Sequence, residues 1–419
     1  MRKLKDIVKI NGKSQKTMHS ALCTLLFAFA LAFLSSCSMV NEDLEPCAIY
    51  PNTFTTVNFV YDYNMQNRDL FNDHVGTVHL YVFDGDQTFL FDSVASRTMM
   101  QLDKVNFSMT FDTIRIKPGN KYYFVAMAAG NHGGLEAIKE TPGFDIPLDR
   151  QMVPGESKLS DYRVRLDRDG DSYADFGVVN YKDVYGNTKE MMDTLWCTKP
   201  GEIQSLDIPY VELKPQVEEY PTLYYDLTIP MMRITNSVTV NLVHDGFTPE
   251  YNVDRFNILM DFPKGNGTLT FTGDTDQQEN QELYYRSLRK EMALYRPKQN
   301  NVPYDGTDSS SAGTRADSYA LQAVFGLSRL QVTDDSSLQI RDGETNNVLF
   351  QIGGNGDQSF SEWLADYFVS HGDEYQDFLD REYEFTIDVH LNDDLVWDWY
   401  QIGCEILGWG VREYNYTIK

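Results

Sequence analysis

From residue 54 onward, hydrophobic and polar residues alternate with a period of two. Val57, Phe59, Tyr61 and Tyr63 fall on one face of a candidate strand, and Val105, Phe107, Met109 and Phe111 alternate with Asn106, Ser108, Thr110 and Asp112. That period belongs to half-buried antiparallel strands, whose side chains point alternately to core and solvent. Further strands are predicted at Val75–Phe83, at Phe89–Val94 after the Asp84-Gly85-Asp86 turn, and at Lys121–Ala128 after Pro118-Gly119. Tyr122 to Met127 lacks a polar side and reads as a central strand. The segment 130–193 is rich in Gly and Asp and reads as irregular, with a short helix at Leu135–Lys139. Alternation resumes near Asp226 with a predicted strand over Leu227–Leu242. Another follows at Leu269 and Phe271, then Ala320–Leu330, Ser337–Ile340, Val348–Ile352, Glu384–Leu391, Val396–Leu407 and Val411–Lys419. Phe360–Leu379 has helical spacing interrupted at Gly372. Pro215–Pro221 is the predicted boundary, because proline cannot join a central ladder, and the polar stretch Gln299–Asp317 reads as a mobile insertion.

The pattern predicts an all-β protein: two tandem antiparallel β-sandwich domains with a few short helices, residues 54–225 and 226–419. The length of 419 residues exceeds what one core commonly serves, and the load of 26 Tyr and 24 Phe suits strands. With 36 basic against 62 acidic residues the net charge is −26. That sign argues against nucleic acid, whose binding needs an excess of cations to meet phosphates. It also argues against attachment to a membrane through a polybasic surface.

Residues 1–36 read as a leader. Six basic residues from Arg2 to Lys16 precede the apolar run Ala21–Leu34, which is too short to span a bilayer and has the form of a signal h-region. Leu34-Ser35-Ser36-Cys37 resembles a bacterial lipobox, so Cys37 is the expected lipidation site. Cleavage before it removes six basic residues and one acidic residue, leaving 30 against 61. Anionic lipid would repel such a body, so the acyl chains must do the holding. Residues 37–53, with Glu42, Asp43 and Glu45, form an acidic tether, similar to the signal that exports lipoproteins to the outer face in Bacteroidota-like bacteria.

Chemistry is thin. Seven histidines are scattered without a His-Glu-x-x-His, a Gly-x-Ser-x-Gly elbow or a phosphate loop, so no enzyme and no cofactor are expected. Asp167, Asp169, Asp171 and Asp175 are spaced like calcium ligands. However, Gly170 stands fourth in the loop where glycine is needed sixth, and Val178 stands where a bidentate Glu is needed, so an acidic turn is the preferred reading. After processing, Cys47, Cys197 and Cys404 remain. Cys404 alternates onto an apolar face as a buried thiol, and if any pair forms, Cys47 with Cys197 is favoured because both lie in the first domain. Trp397 and Trp399, near Tyr400, share a strand face that reads as core, with sugar stacking as the competing role.

The run Thr56-Val57-Asn58-Phe59-Val60-Tyr61-Asp62-Tyr63-Asn64 is followed by Val78-His79-Leu80-Tyr81-Val82-Phe83-Asp84. In the second half come Leu379-Asp380-Arg381-Glu382-Tyr383-Glu384-Phe385-Thr386-Ile387 and the Trp409 segment. In this order, with Cys37 and its tether ahead of them, they resemble Bacteroidales fimbrial anchor lipoproteins, the anchor subunits of type V pili. The resemblance implies transthyretin-like sandwiches and attachment of a fimbrium to the outer membrane through strand exchange with shaft fimbrillins. The alternating end Tyr414, Tyr416, Ile418 is the candidate exchange segment, or else simply a last strand. Shaft subunits of that family are trimmed at an arginine. Here the first one beyond Cys37 is Arg68, where cleavage would sever lipid from body, so Arg68 is expected to stay intact. A fimbrial tip subunit and a surface glycan-binding lipoprotein are the alternatives.

Overall fold

In the computed structural model, the described residues are 52–101, 107–130, 144–145, 152–166, 179–182, 188–191, 194–209, 222–276, 278, 280, 282–295, 318–354, 358–393, 395 and 397–404. They belong to one compact unit, Asn52–Tyr210 with Thr222–Lys419; the other unit, Met1–Pro51 with Val211–Pro221, lies outside the described residues.

The first half contributes β1 (Thr53–Val60), β2 (Thr77–Asp84), β3 (Phe89–Ser96), β4 (Ser108–Asp112), β5 (Lys121–Ala129), β6 (Phe144–Asp145), β7 (Arg163–Leu166), β8 (Val179–Lys182), β9 (Thr188–Met191), β10 (Leu195–Thr198), β11 (Gln204–Asp207) and β12 (Leu223–Arg233). Seven of these run in the order β3-β2-β5-β10-β12-β1-β4, with β11 paired to β5. The sheet curls so that Val57 and Phe59 of β1 meet Val78 and Leu80 of β2 and Phe124 of β5 in one core. The opposite faces of β2 and β5, with Tyr81, Phe83, Val125 and Met127, enter a second core shared with the rest of the chain. Both faces of β5 are thus covered, as its missing polar side predicts.

The second half adds β13 (Thr235–Val243), β14 (Phe256–Phe262), β15 (Thr268–Thr270), β16 (Leu283–Arg286), β17 (Arg289–Tyr295), β18 (Ser318–Ser328), β19 (Ser337–Asp342), β20 (Val348–Gly353), β21 (Glu384–Leu391) and β22 (Trp397–Cys404). They form a five-stranded sheet, β17-β18-β13-β21-β22, and a four-stranded sheet, β16-β14-β19-β20. Val238, Val240, Phe325 and Ile387 of the first sheet share a core with Ile258, Met260, Ile340 and Ile352 of the second. Among the described residues four short α-helices interrupt the strands: α1 (Phe71–His74), α2 (Arg97–Gln101), α3 (Phe360–Phe368) and α4 (Tyr375–Arg381). Ser359 caps α3 by accepting from the Glu362 N–H at 3.1 Å. The α3–α4 break spans Gly372, as the interrupted spacing predicts. Gly353, at φ 76°, must be glycine: a Cβ there would lie 2.5 Å from the Ser336 carbonyl oxygen.

Two expectations need correction. The single strand Leu227–Leu242 is two strands, parted at the buried Ile234, and they enter different sheets. Pro230 marks the reason. Leu223–Pro230 of β12 pairs with β1, whereas Met231–Arg233 pairs with β10, so the residue without an N–H stands where one partnership hands over to the other. The expected boundary at 225/226 therefore falls inside β12. The region 130–193 is also less irregular than its composition suggests, since β7 pairs with β15 and so joins the two halves by backbone hydrogen bonds.

Candidate functional site

The stretches Thr56–Asn64 and Leu379–Ile387, distant in sequence, touch in the fold. After β1 the chain closes a tight loop around the buried Asn64, whose Nδ2 donates to the carbonyl oxygens of Tyr61 and Arg68, both at 2.9 Å. Asp69 Oδ1 accepts from the N–H groups of Tyr61 and Phe71 at 2.9 and 3.0 Å. Against this loop lies α4. Arg381 Nη2 donates to the Asn64 carbonyl at 3.2 Å and to Asn67 Oδ1 at 2.6 Å, and the Tyr63 hydroxyl donates to Asp377 Oδ1 at 2.7 Å. Lys199 stands 4.3 Å from the centre of the Tyr63 ring. Two segments of the first half, the loop after β1 and the residue that follows β10, are therefore held with one helix of the second half.

One residue back, Asp380 faces inward. It receives Arg329 in a two-point fork, Nε to Oδ1 at 2.7 Å and Nη2 to Oδ2 at 2.8 Å, with both side chains buried. Arg329 Nη1 also donates to the Gly273 carbonyl at 2.9 Å and to Asp274 at 3.0 Å, and Gln376 donates to Asp380 at 2.9 Å. Burial opposes the guanidinium charge, but the Asp380 hydrogen bonds and attraction more than offset it and hold Arg329 protonated above its usual range. Cys197, nearby on β10, is a fully buried thiol that desolvation pushes up to about 12.

One residue forward of Arg381, Glu382 is only 3% exposed. Its Oε1 accepts from the N–H groups of Tyr383 and Glu384, whereas its Oε2 has no partner. The Tyr61 hydroxyl and Trp196 Nε1 are likewise buried without partners, and their rings meet edge to face at 5.8 Å. Arg233, at the end of β12, lies 3.9 Å from the centre of the Tyr383 ring and 6.0 Å from that of Trp196. Desolvation raises the Glu382 carboxyl to about 7 and moves the Tyr61 hydroxyl well above its usual range.

Cys37, Cys47, Asp167, Asp169, Asp171, Asp175, Tyr414, Tyr416, Ile418 and the Trp409 segment lie outside the described residues, as do 135–139 and 299–317. The Cys47–Cys197 pairing rests on one residue that is described and one that is not. Trp397, Trp399 and Tyr400 stand on β22, opposite Leu391, His390 and Val389 of β21; only the backbone of β22 is described, Cys404 included. Arg68 has an exposed side chain, 3.8 Å from Asp73. Among the described residues, no three His, Cys, Asp or Glu side chains are placed to hold a metal ion, and no helix is long and apolar enough to cross a membrane. Sequence reasoning did not assign roles to Arg233, Arg329, Arg381 or Glu382. The available signal was a dense run of charges, Asp380 to Glu384, abutting a strand whose Phe385 and Ile387 are core.

A curled sheet with its N-terminal strand β1 paired on both sides, joined through charged and aromatic contacts to the sheets of the second half, defines an all-β protein of two joined halves. The chain belongs to the family of fimbrillin-A associated anchor proteins Mfa1 and Mfa2, whose family model matches residues 46–415. Two solved structures share the fold, and a third is reported beside them. A candidate adhesin from Bacteroides thetaiotaomicron is 21% identical, with 88% of this chain and 99% of that chain covered and a TM-score of 0.55. A candidate polysaccharide-binding protein from the same organism is 20% identical over 88% and 98%, also at 0.55. The fimbrial anchor protein Mfa2 from Porphyromonas gingivalis is 18% identical over 87% and 100%, at 0.49. No curated protein matches the sequence. Family membership associates the chain with fimbriae at the cell surface, and the family is one of structural proteins, not enzymes.

Proposed function

We propose that this protein is the anchor of a fimbrium: a lipoprotein of the outer membrane, acylated at Cys37, that holds a polymer of fimbrillin subunits by strand exchange. The observation that carries the reading is the position of β1. The expected lipid site lies a short tether upstream of a strand that is paired on both sides, in parallel with β12 and antiparallel with β4. A lipid attached there is tied to a strand with a neighbour on each side, one strand in from the β4 edge of the sheet. The Arg68 carbonyl is engaged by Asn64, which supports the expectation that the chain is not cut between the lipid and the body. On the fimbrial side, Tyr414, Tyr416 and Ile418 alternate as a strand donor would, offering main-chain hydrogen bonds for affinity and alternate side chains for specificity.

Cys37→Ala should release the protein from salt-washed membranes and shed fimbriae into the medium with the protein attached. Deleting Tyr414–Lys419 should leave a membrane-bound protein from which the fimbrium detaches. Equal fimbrial retention with and without the gene would refute the anchor role, and a Cys37→Ala variant still in the membrane pellet would refute the lipid site.

A further inference from the structure

Thr53, where the described chain enters the fold, bonds to the loop that follows β4. Its N–H donates to Thr113 Oγ1 at 2.5 Å, and its hydroxyl donates to the Ile116 carbonyl at 3.4 Å. The loop, Thr113–Asn120, is held in one shape. Asp112 Oδ1 accepts from the Ile114 N–H at 3.1 Å, the Lys117 N–H donates to the Tyr122 hydroxyl at 2.8 Å, and the Gly119 N–H donates to the Ile208 carbonyl at 2.7 Å. Ile116 is thereby buried and Ile114 is held outward at 81% exposure, the highest of any large hydrophobic side chain described. Arg115, Lys117 and Lys121 line one cavity with it, Lys121 lying 4.7 Å from the Tyr123 ring centre. Their side chains take part in none of the ion pairs among the described residues. These groups, with Leu90 and Phe91, border that cavity, of about 850 Å³, and the Arg115 guanidinium lies 5.4 Å from the Phe91 ring centre.

We propose that this end of the molecule faces the outer membrane, with Ile114 entering the headgroup layer and Arg115, Lys117 and Lys121 meeting the phosphates of anionic lipid. The proposal rests on the reading of Cys37 as the lipid site. At most roughly 55 Å of extended chain separates Cys37 from Thr53, and Thr53 is fastened to this loop, so the tether leaves the body where the cations are. The excess of 61 acidic over 30 basic residues in the chain after Cys37 does not forbid the contact. Surface potentials fall off over a Debye length of about 8 Å at physiological ionic strength, so distant carboxylates are screened while loop cations at the interface are not. Two carboxylates share the cavity. Asp84 Oδ1 is engaged by the N–H groups of Asp86 and Thr88, and Asp86 lies on the β2–β3 turn across from the loop. Lys121 stands opposite Asp207 in the β5–β11 pair, so Arg115 and Lys117 carry most of the attraction. An outward isoleucine followed at once by an arginine, with a lysine two residues beyond, combines apolar entry with cations that reach the headgroups, the chemistry of an interfacial contact.

The test uses the chain from Ser38 onward, which lacks the lipid but contains every described residue, floated with vesicles. Phosphatidylcholine vesicles and vesicles of equal parts phosphatidylcholine and phosphatidylglycerol should differ, with binding to the anionic set alone and weakening as salt rises. Arg115→Glu with Lys117→Glu should reduce that binding at least about tenfold, since one cation near an anionic surface is worth roughly fivefold. Ile114→Ser should reduce it less. All three residues are exposed, so unchanged melting of the variants is expected and separates loss of binding from loss of fold. Equal flotation with both vesicle types, no effect of the double reversal, or full displacement by inorganic phosphate at matched ionic strength would overturn the proposal, the last by showing a site for a free ion. Retention of full-length Cys37→Ala in salt-washed cell membranes, where the loop contact is screened, together with anionic-vesicle binding by the chain from Ser38, would sink the lipid reading and spare this one. Release of that variant with no vesicle binding would do the reverse.

Discussion

Asp380 and Glu382 are two residues apart, both buried, both carboxylic acids, and they live under opposite conditions. Asp380 meets a guanidinium along its whole edge and a glutamine besides. Glu382 spends one oxygen on two backbone N–H groups and leaves the other unpaired beside the Tyr61 and Trp196 groups, which lack partners too. In this segment the chain uses one buried acid to lock the second half internally and leaves the next half-satisfied where the halves meet. Burial alone therefore does not tell whether a charge stabilises a fold; the count of its partners does.

The largest expected effect comes from breaking the locked side. Asp380→Ala strips Arg329 of its fork and leaves a buried cation with one carbonyl and the Asp274 carboxylate, so stability should fall by about 3–5 kcal/mol. Urea unfolding of the variant measures it, and a loss below about 1 kcal/mol would show that the pair is dispensable. The unsatisfied side responds to pH. With its folded-state value raised to about 7, Glu382 binds a proton more readily in the folded chain than in the unfolded one. Its contribution is fully present below the unfolded value, near 4.5, and is lost as pH rises through about 7, a change of roughly 2–4 kcal/mol. Arg233, Tyr61, Tyr383 and Glu384 face it. Glu382→Gln keeps an acceptor for both N–H groups and removes the titration, so unfolding curves from pH 4.5 to 8 should flatten relative to the parent; identical pH slopes would refute the assignment.

A smaller effect is expected where the joint is partly wet. Arg381→Ala loses two hydrogen bonds to the Asn64–Asn67 loop, and about 1–2 kcal/mol should go with them. Hydrogen exchange should rise first in residues 61–70, and a rise spread evenly over both halves would argue against a local role. The smallest belongs to Arg68 with Asp73, 3.8 Å apart and both exposed. Asp73→Asn should shift the melting temperature by almost nothing, as exposed pairs contribute about 0–1 kcal/mol.

Much of the fold was legible because alternation reports which face of a strand is buried. Val57 and Phe59, Phe385 and Ile387 all point inward as their spacing predicts, and Tyr122–Met127 is central because neither face is polar. Alternation does not report the partner. The pairing of β1 with β12 joins residues about 170 positions apart, and that of β7 with β15 crosses between halves, so neither leaves a local trace. Pro230 did leave one, since a proline inside an alternating run marks an N–H that no neighbour needs. At the joint, the order of charges in Asp380–Glu384 was visible in the sequence, but their opposite environments depend on Arg329 and Trp196, which only the fold brings near. The lipid site and the candidate exchange segment remain statements of sequence, outside the described residues.

The parallel run of β1 beside β12, from Thr53 opposite Leu223 to Val60 opposite Pro230, has a mechanical consequence. The chain comes from the tether into the starting end of β1, and it departs toward the second half from the finishing end of β12. Because the strands point the same way, in the proposed anchor a pull between lipid and fimbrium would drag them past each other along their length. Every backbone bond of the pair is then strained together, whereas antiparallel neighbours tugged at one shared end would peel apart rung by rung. Single-molecule stretching between residue 37 and the second half should accordingly give one high rupture force, and a staircase of weak ruptures would contradict it. Where a cell's hold on a filament passes through eight residues, the direction in which they run decides how hard the filament can be pulled.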